Sequence, residues 1–545
     1  MRTSALLFGL VACSGKPAGD APLPPDTDAT DTDTDTVPPT SEPLSLLSAV
    51  VRAPDSPLVF QAQQADVTTS HPARVTATLT DAAGATRTIA FPTVATTHTL
   101  PLVGFPAESS HTVVLCATDE LAREACSEPL PFTVSAGPPT APTVELLESD
   151  AGRFAAGWTL FPPFSDEGDL VLLADADGVV VWAFTAPRDW KSVTVTDHGT
   201  LTGIENTNLV EMDWLGRVVR RFRPSSQTLD PGEIPMPLDN PHHELIPLAD
   251  GSIYTLDTTS RVVDGFPIDY DFSAFTDANV AEQVVVHLGG DGTLLESWSL
   301  LDTLDPLRLG WSSLDLTIKG DLDWGHANAI AIDDVDDTLV ISLRHQDTIV
   351  KLDPATGDVR WILANHDGWN PTFQPALLTP IGAPFAWPAH QHGPQLLEDG
   401  GILLFDNGNE NHTTPYSDAA WMPQLSRVVQ YRVDDVARTV AQLWDWRHPD
   451  GLYSQALGNA DLQVETGSVL ATFSYLAKED GVANGEIGRG RNSTRITEFD
   501  PVTEDVVWDL SVWDDAVESP GGWLVDRAVR VGSLYGSTAT DTAAQ

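Results

Sequence analysis

Between Asp323 and Leu363 short apolar runs alternate with polar turns. The runs are Ala327–Ile332, Thr338–Leu343, Thr348–Leu352 and Asp358–Leu363, and β-branched residues are frequent in them. Asp333–Asp337, Arg344–Asp347 and Asp353–Gly357 separate them. Runs this short between turn residues predict strands, and four in succession predict a meander of the size of one propeller blade. In an up-and-down meander the start of the first strand and the end of the second share an edge. A blade's first strand lines the central channel. His326, which opens the first run, and Arg344, which closes the second, are therefore expected at one mouth of that channel.

The pattern returns along the chain, and repetition at blade length is the signature of such architectures. A polar corner, an apolar strand, an acidic or glycine turn and a second strand recur at His242–Asp257, His392–Gly408 and Asn459–Ser474. The closing half, Leu352–Leu363 (LDPATGDVRWIL), has a partner in Phe499–Leu510 (FDPVTEDVVWDL) and weaker ones at Asp175–Phe184 and Asp213–Phe222. Six units fit between Gly157 and Leu510, with long insertions in at least two. The expected fold is all-β: a six-bladed β-propeller over residues 138–536, with seven blades as the rival count. Tryptophans that close strands, such as Trp182, Trp361 and Trp508, are expected to pack between blades.

Residues 44–137 hold alternating runs with turns between them and predict a small N-terminal β-sandwich domain. Residues 537–545 are expected to fray. Residues 13–43 are rich in Pro, Thr and Asp, including the tract TDATDTDTDT, and predict an extended disordered tether. Residues 1–12 have a charged start and a short apolar core, too short to span a bilayer. With Leu10-Val11-Ala12-Cys13 they resemble a lipoprotein signal, in which Cys13 becomes the lipidated N-terminus; an ordinary secretory signal is the alternative. Cys116 and Cys126 are then the two remaining thiols of an exported chain, and a disulfide between them is expected. Export places the chain, lipid-anchored, at the periplasmic or cell-surface face of a bacterial membrane.

Charge narrows the partners. The chain carries 78 acidic and 29 basic residues, a formal net charge of −49. That sign opposes a nucleic-acid backbone and an anionic bilayer alike, so membrane contact is expected only through the lipid anchor. A homodimer stays open.

The candidate chemistry sits at the strand-one corners. His242/His243, His326 and His392 stand at equivalent places in three units and converge, with Arg344, on one mouth. A His₃ metal site is one reading. Arg344 adds like charge to a cation and speaks instead for a tetrahedral oxyanion such as sulfate or phosphate. Asp406 or Asn407 is expected to orient His392, unless Asn407-Gly408 is only a turn.

The motifs DWGHANAIAI, SLRHQDTIVKLDPATGDVRWIL, NPHHELIPLADG, AHQHGPQLLEDGGILLFDNG and DRAVRVGSLYG together resemble the bacterial arylsulfate sulfotransferase family over most of residues 144–536. The resemblance implies a six-bladed propeller that moves a sulfuryl group from a phenolic sulfate donor to a phenolic acceptor without the nucleotide donor PAPS. It implies a ping-pong reaction through a sulfated histidine, matched here by His392. His326 and Arg344 match the family's substrate-binding histidine and arginine. One of His242 and His243 matches the remaining histidine, and the acidic residue after His243 favours that one. His242, Asn328 and Asn407 are assigned to substrate binding. No metal or organic cofactor is expected. The rival readings are a non-catalytic surface propeller that binds sulfated or phenolic ligands, and a quinone-cofactor dehydrogenase. The last needs the TGDVRW ending in nearly every blade, and two blades show it.

Overall fold

The computed structural model describes residues 42–409, 413–416, 424–476, 478–479, 482–483, 492–514, 522–537 and 539–542. The signal, the tether and Cys13 lie outside them. Apart from the single-turn helix Leu300–Thr303 and a 3₁₀ turn at Gln374–Ala376, the described regular structure is β. Among the described residues no helix is long and apolar enough to cross a membrane.

Six sheets of four or more strands follow in chain order after residue 157. The fourth is the simplest. It consists of Ala327–Asp333, Thr338–Leu343, Thr348–Leu352 and Val359–Leu363, paired in that order. The β-branched runs become strands because both faces of the sheet pack on neighbouring sheets: Thr338–Leu343 and Thr348–Leu352 are buried throughout. The fifth sheet is built on His392–Leu396, Gly401–Asp406, Arg427–Asp434 and Thr439–Trp446. The sixth takes Ala460–Leu462, Val469–Phe473, Thr494–Phe499 and Val506–Trp513, with Thr143–Ser149 added at its outer edge. The C-terminal strands Leu524–Val525 and Val529–Val531 return to the first sheet, where they pair with Pro163–Ser165 and Trp158–Phe161. The ring of sheets is thus closed by both ends of its own sequence.

Tryptophans link the sheets in a regular way. Trp298, Trp361, Trp446, Trp508 and Trp182 each lie on the outer part of one sheet. Each indole donates to the outer turn of the next: to the Pro354 carbonyl, the Asp435 carboxylate and the Glu504, Ala176 and Trp214 carbonyls, at 2.9–3.2 Å. Between the second and third sheets Arg220 Nη1 takes this part, donating to the Gly251 carbonyl at 3.1 Å. Each tryptophan link packs a large aromatic ring between sheets and satisfies its one polar atom.

The N-terminal region forms one hydrogen-bonded sheet around the long strand Gln63–Asp81. Its first half pairs with Leu46–Arg52 and its second with Ser110–Asp119. Cys116 and Cys126 face each other across a strand pair and are joined by a disulfide, with Cα atoms 4.0 Å apart. Strand pairing ties this region to the rest of the chain from both sides. Val59–Phe60 joins the first blade sheet. The tail expected to fray instead places Thr540–Asp541 against Ile89–Ala90, and Asp541 forms a largely buried ion pair with Arg87 at 2.6 Å.

Candidate active site

The first strands of the second to fifth sheets share one irregularity. Their register slips between Lys191 and Thr194, His242 and Leu245, Ala327 and Ala329, and His392 and Gln395. A bulge leaves a residue out of the ladder and re-aims the side chains around it. At the same corners the backbone of Ser192, His243, His326 and His390 is left-handed, with φ between 47° and 56°. Such conformations in residues with a Cβ concentrate at functional sites.

His392 is buried. Its Nδ1 lies 2.6 Å from Asn407 Oδ1. The Asn407 amide nitrogen already donates to the Ser454 and Leu457 carbonyls, at 2.9 and 3.1 Å. Asn407 Oδ1 must therefore accept, and His392 Nδ1 must carry the proton. The lone pair is left on Nε2. Burial pushes the His392 imidazole well below the usual histidine range, and Arg344, His326 and Arg527 push the same way. The ring is a neutral base at neutral pH.

Arg344 is 3% exposed, and its Nη2 donates to the Gln455 carbonyl at 3.1 Å, which carries the guanidinium from the fourth sheet toward the sixth. His326 Nδ1 sits 2.5 Å from Asp323 Oδ2. Burial works against the Asp323 charge, but His326 and His345 outweigh it and hold the carboxyl at about 2. The His243 and His326 rings meet edge to face at 5.0 Å between centroids, which sets His243 beside His326. Its backbone carbonyl accepts from Arg527 Nη2, while Arg527 Nη1 pairs with Glu244 at 2.9 Å. The acidic residue after His243 thus braces the corner through an arginine of the C-terminal DRAVRVG stretch.

Three expected substrate contacts take supporting positions instead. His242 has both ring nitrogens engaged, Nδ1 with His243 Nδ1 and Nε2 with Thr258 Oγ1, each at 2.7 Å. Burial lowers it to about 4. Asn328 is buried, and its amide donates to the Gln391 carbonyl at 2.8 Å, fixing the strand that carries His392. Asn407 is fully buried and orients His392. Asp406, the other candidate for that task, pairs with Arg427 at 2.8 Å. The two buried amides meet protein atoms before a ligand can reach them, and both His242 nitrogens are already engaged.

The structure adds residues that the sequence reading passed over. His345 is fully buried, stacks on His326 at 4.6 Å and approaches the Asp323 carbonyl through Nδ1 at 2.7 Å. Gln391 Nε2 donates to Ser342 Oγ and the Thr348 carbonyl, at 3.0 and 3.1 Å. The His390 amide donates to Asp347 at 2.7 Å. Lys191 and Tyr475 also belong here. Burial raises the Tyr475 phenol, which feels the charges of Lys191 and Arg344. Asp323, His345 and Gln391 all stand inside the quoted motifs, within three residues of an assigned one, and that adjacency was the available signal.

Asp323, His326 and His345 place a carboxylate and two imidazoles within 4.8 Å, a set of donors that a metal ion accepts. Their arrangement speaks for proton sharing instead. His326 Nδ1 is already bonded to the carboxylate, and the two rings lie face to face, not edge-on to a common point.

The sequence model of the family described as "Arylsulfotransferase (ASST)" matches residues 143–521, the greater part of the chain. The chain belongs to the arylsulfotransferase family. All four residues assigned to chemistry lie inside that span. The chain is 25% identical over 378 residues to "Arylsulfate sulfotransferase AssT" of Lelliottia amnigena, covering 59% of this chain and 56% of that one. It is 24% identical over 369 residues to the AssT of Escherichia coli O6:H1, with the same coverage. The match thus spans little more than half the length of these relatives. A solved structure of a protein of unknown function from Bacteroides caccae superposes with a TM-score of 0.39 at 11% identity, over 69% of this chain and all of that one.

Proposed function

We propose that the protein transfers a sulfuryl group from an aryl sulfate to a phenolic acceptor, in two steps, through a sulfated His392. The observation that carries this reading is the His392–Asn407 pair beside Arg344: a buried imidazole with a defined tautomer next to a cation suited to sulfate oxygens. Family membership supports the same chemistry.

In the first step the Nε2 lone pair forms a bond to sulfur. The sulfur–oxygen bond to the aryl group breaks, and its electron pair leaves with the phenolate. The sulfated ring keeps its Nδ1 proton and becomes cationic, and Asn407 Oδ1 faces that charge. Arg344 offers parallel donors to the sulfuryl oxygens, where negative charge concentrates. His326 gives a proton to the departing phenolate. In the second step His326 or His243 takes the acceptor's proton, the acceptor oxygen attacks sulfur, and the nitrogen–sulfur bond breaks. Two transfers through one nucleophile give ping-pong kinetics.

The test is release of 4-nitrophenol from 4-nitrophenyl sulfate, without added PAPS, with and without phenol. Acceptor-dependent turnover in the wild type, and a sulfate found on His392 by mass spectrometry after donor alone, is the expected result. A folded protein that binds aryl sulfates without turning them over is a binding propeller, and that outcome overturns the proposal. For location, the lipobox at Leu10–Cys13 and the Cys116–Cys126 disulfide support an exported, lipid-anchored chain. Fatty-acid labelling that survives Cys13→Ser contradicts the anchor.

A further inference from the structure

Asp323 stands three residues before His326, outside the first strand of its sheet, and is 2% exposed. Its place is determined from several sides. Its own amide donates to the Leu316 carbonyl at 3.0 Å, its carbonyl faces His345 Nδ1 at 2.7 Å, and its Oδ2 meets His326 Nδ1 at 2.5 Å. The His326 backbone is held left-handed at the same point, and its carbonyl accepts from the Arg344 amide at 3.0 Å. His326 therefore cannot turn freely about its own corner. One edge of the ring is committed to a carboxylate, and the side chain as a whole is 24% exposed.

We infer that Asp323 is the positioning residue of the proton-transfer step, holding the proton on His326 Nδ1 so that Nε2 is the atom that exchanges a proton with the phenol oxygen. The inference rests on the sulfuryl-transfer reading above and adds to it a division of labour. His392, with a neutral amide at its back, is kept uncharged as the nucleophile. His326, with a carboxylate at its back, is equipped to carry positive charge as the acid. The two imidazoles differ by the partner at Nδ1, Asn407 in one case and Asp323 in the other. A carboxylate stabilises an imidazolium as a neutral amide cannot. The step balances. As the sulfur–oxygen bond breaks, the Nε2 proton of an imidazolium passes to the leaving oxygen. The ring becomes neutral and Asp323 stays ionised throughout. The reverse transfer serves the acceptor.

The consequence is a dependence on the leaving group. A phenol that leaves easily as its anion has little need of the proton. A weakly acidic phenol needs it. Asp323→Asn keeps the size of the side chain and removes the charge. It is expected to lose about 10²-fold in kcat/KM with phenyl sulfate and less than about 10-fold with 4-nitrophenyl sulfate, so that rates fall more steeply with phenol basicity across a donor series. Asp323→Glu is expected to recover part of the loss, since the carboxylate returns. Equal losses for every donor would make Asp323 a structural residue only, and overturn the inference. The nucleophile is tested separately: His392→Ala abolishes turnover of every donor, whatever Asp323 does. Should the wild type turn over no donor, the dyad is still read by NMR of ¹⁵N-histidine-labelled protein. A strongly deshielded His326 Nδ1 proton, lost in Asp323→Asn, supports it, and no such proton in the wild type refutes it.

Discussion

The two ends of the same blade sheets are built on different principles. At the outer turns the chain is exposed: Val335, Val436 and Val502 are each 89–96% accessible, set among aspartates. Five of the six links described there are indole hydrogen bonds from one sheet to the next, and Arg220 makes the sixth. At the opposite end the run Arg344–Asp347 has no member more than 5% exposed, and each is charged or polar. A buried polar group without partners costs several kcal/mol, so this end has to be a connected network. Gln391, Asn407, Asp323 and Glu244 supply those connections. One end determines how firmly the sheets adhere. The other determines where a few atoms point.

The largest expected effect falls at the polar end. His392→Ala removes the proposed nucleophile, and acceptor-dependent release of 4-nitrophenol is expected to fall by roughly 10⁴-fold or more, to the uncatalysed background, while the melting temperature changes little. Asn407→Ala comes next. It frees the His392 tautomer and removes the amide that donates to the Ser454 and Leu457 carbonyls. We expect about 10²-fold in kcat and about 1–3 kcal/mol in stability, read by turnover and by denaturant unfolding. Should Asn407→Ala keep full activity, the contrast between the two ends loses its chemical content.

At the outer end the order reverses. Trp508→Phe loses the bond to the Ala176 carbonyl that joins the last sheet to the first, and is expected to lower stability by about 1–3 kcal/mol with activity per folded molecule unchanged. Acid acts on the polar end through its histidines. His242 is held at about 4 by burial, against roughly 6.5 in an unfolded chain. Above pH ~6.5 both states are neutral there and stability is flat. Between pH ~6.5 and 4 the unfolded chain takes up the proton first, so stability falls, by on the order of 2 kcal/mol from this residue. A melting-temperature series across that range checks the direction. The smallest effect belongs to the exposed valines: Val335→Ser and Val436→Ser are expected to stay within about 0.5 kcal/mol of the parent, with the same kcat/KM.

Much of this was legible in the sequence, for local reasons. The strands of the fourth sheet appear where the apolar runs predict them, because run length and turn residues are read from neighbours in sequence. The corner histidines stood out because the repeat placed them at equivalent points. That Asp406 or Asn407 orients His392 was legible, but not which of the two does so, nor the tautomer it imposes. Nothing in the segment Asp406-Asn407-Gly408 shows that its amide nitrogen is taken by carbonyls some 50 residues on. Between His242 and His243 the sequence offered only the acidic residue after His243, and the bulge and left-handed backbone at that corner were not legible in it.

By itself the sequence determined the class of fold, the repeating sheet, the tryptophans as links between sheets, and the residue types able to hold a sulfate and attack it. These follow from periodicity and side-chain chemistry, which are properties of short stretches. Only the tertiary structure decided which nitrogen of His392 carries the proton, that the His243 ring meets His326, that Asp323 backs His326, and that Asp541 pairs with Arg87. Each of these depends on a contact between residues whose distance in space is independent of their order in the chain. Burial then gives that contact its weight, because water is no longer there to replace it.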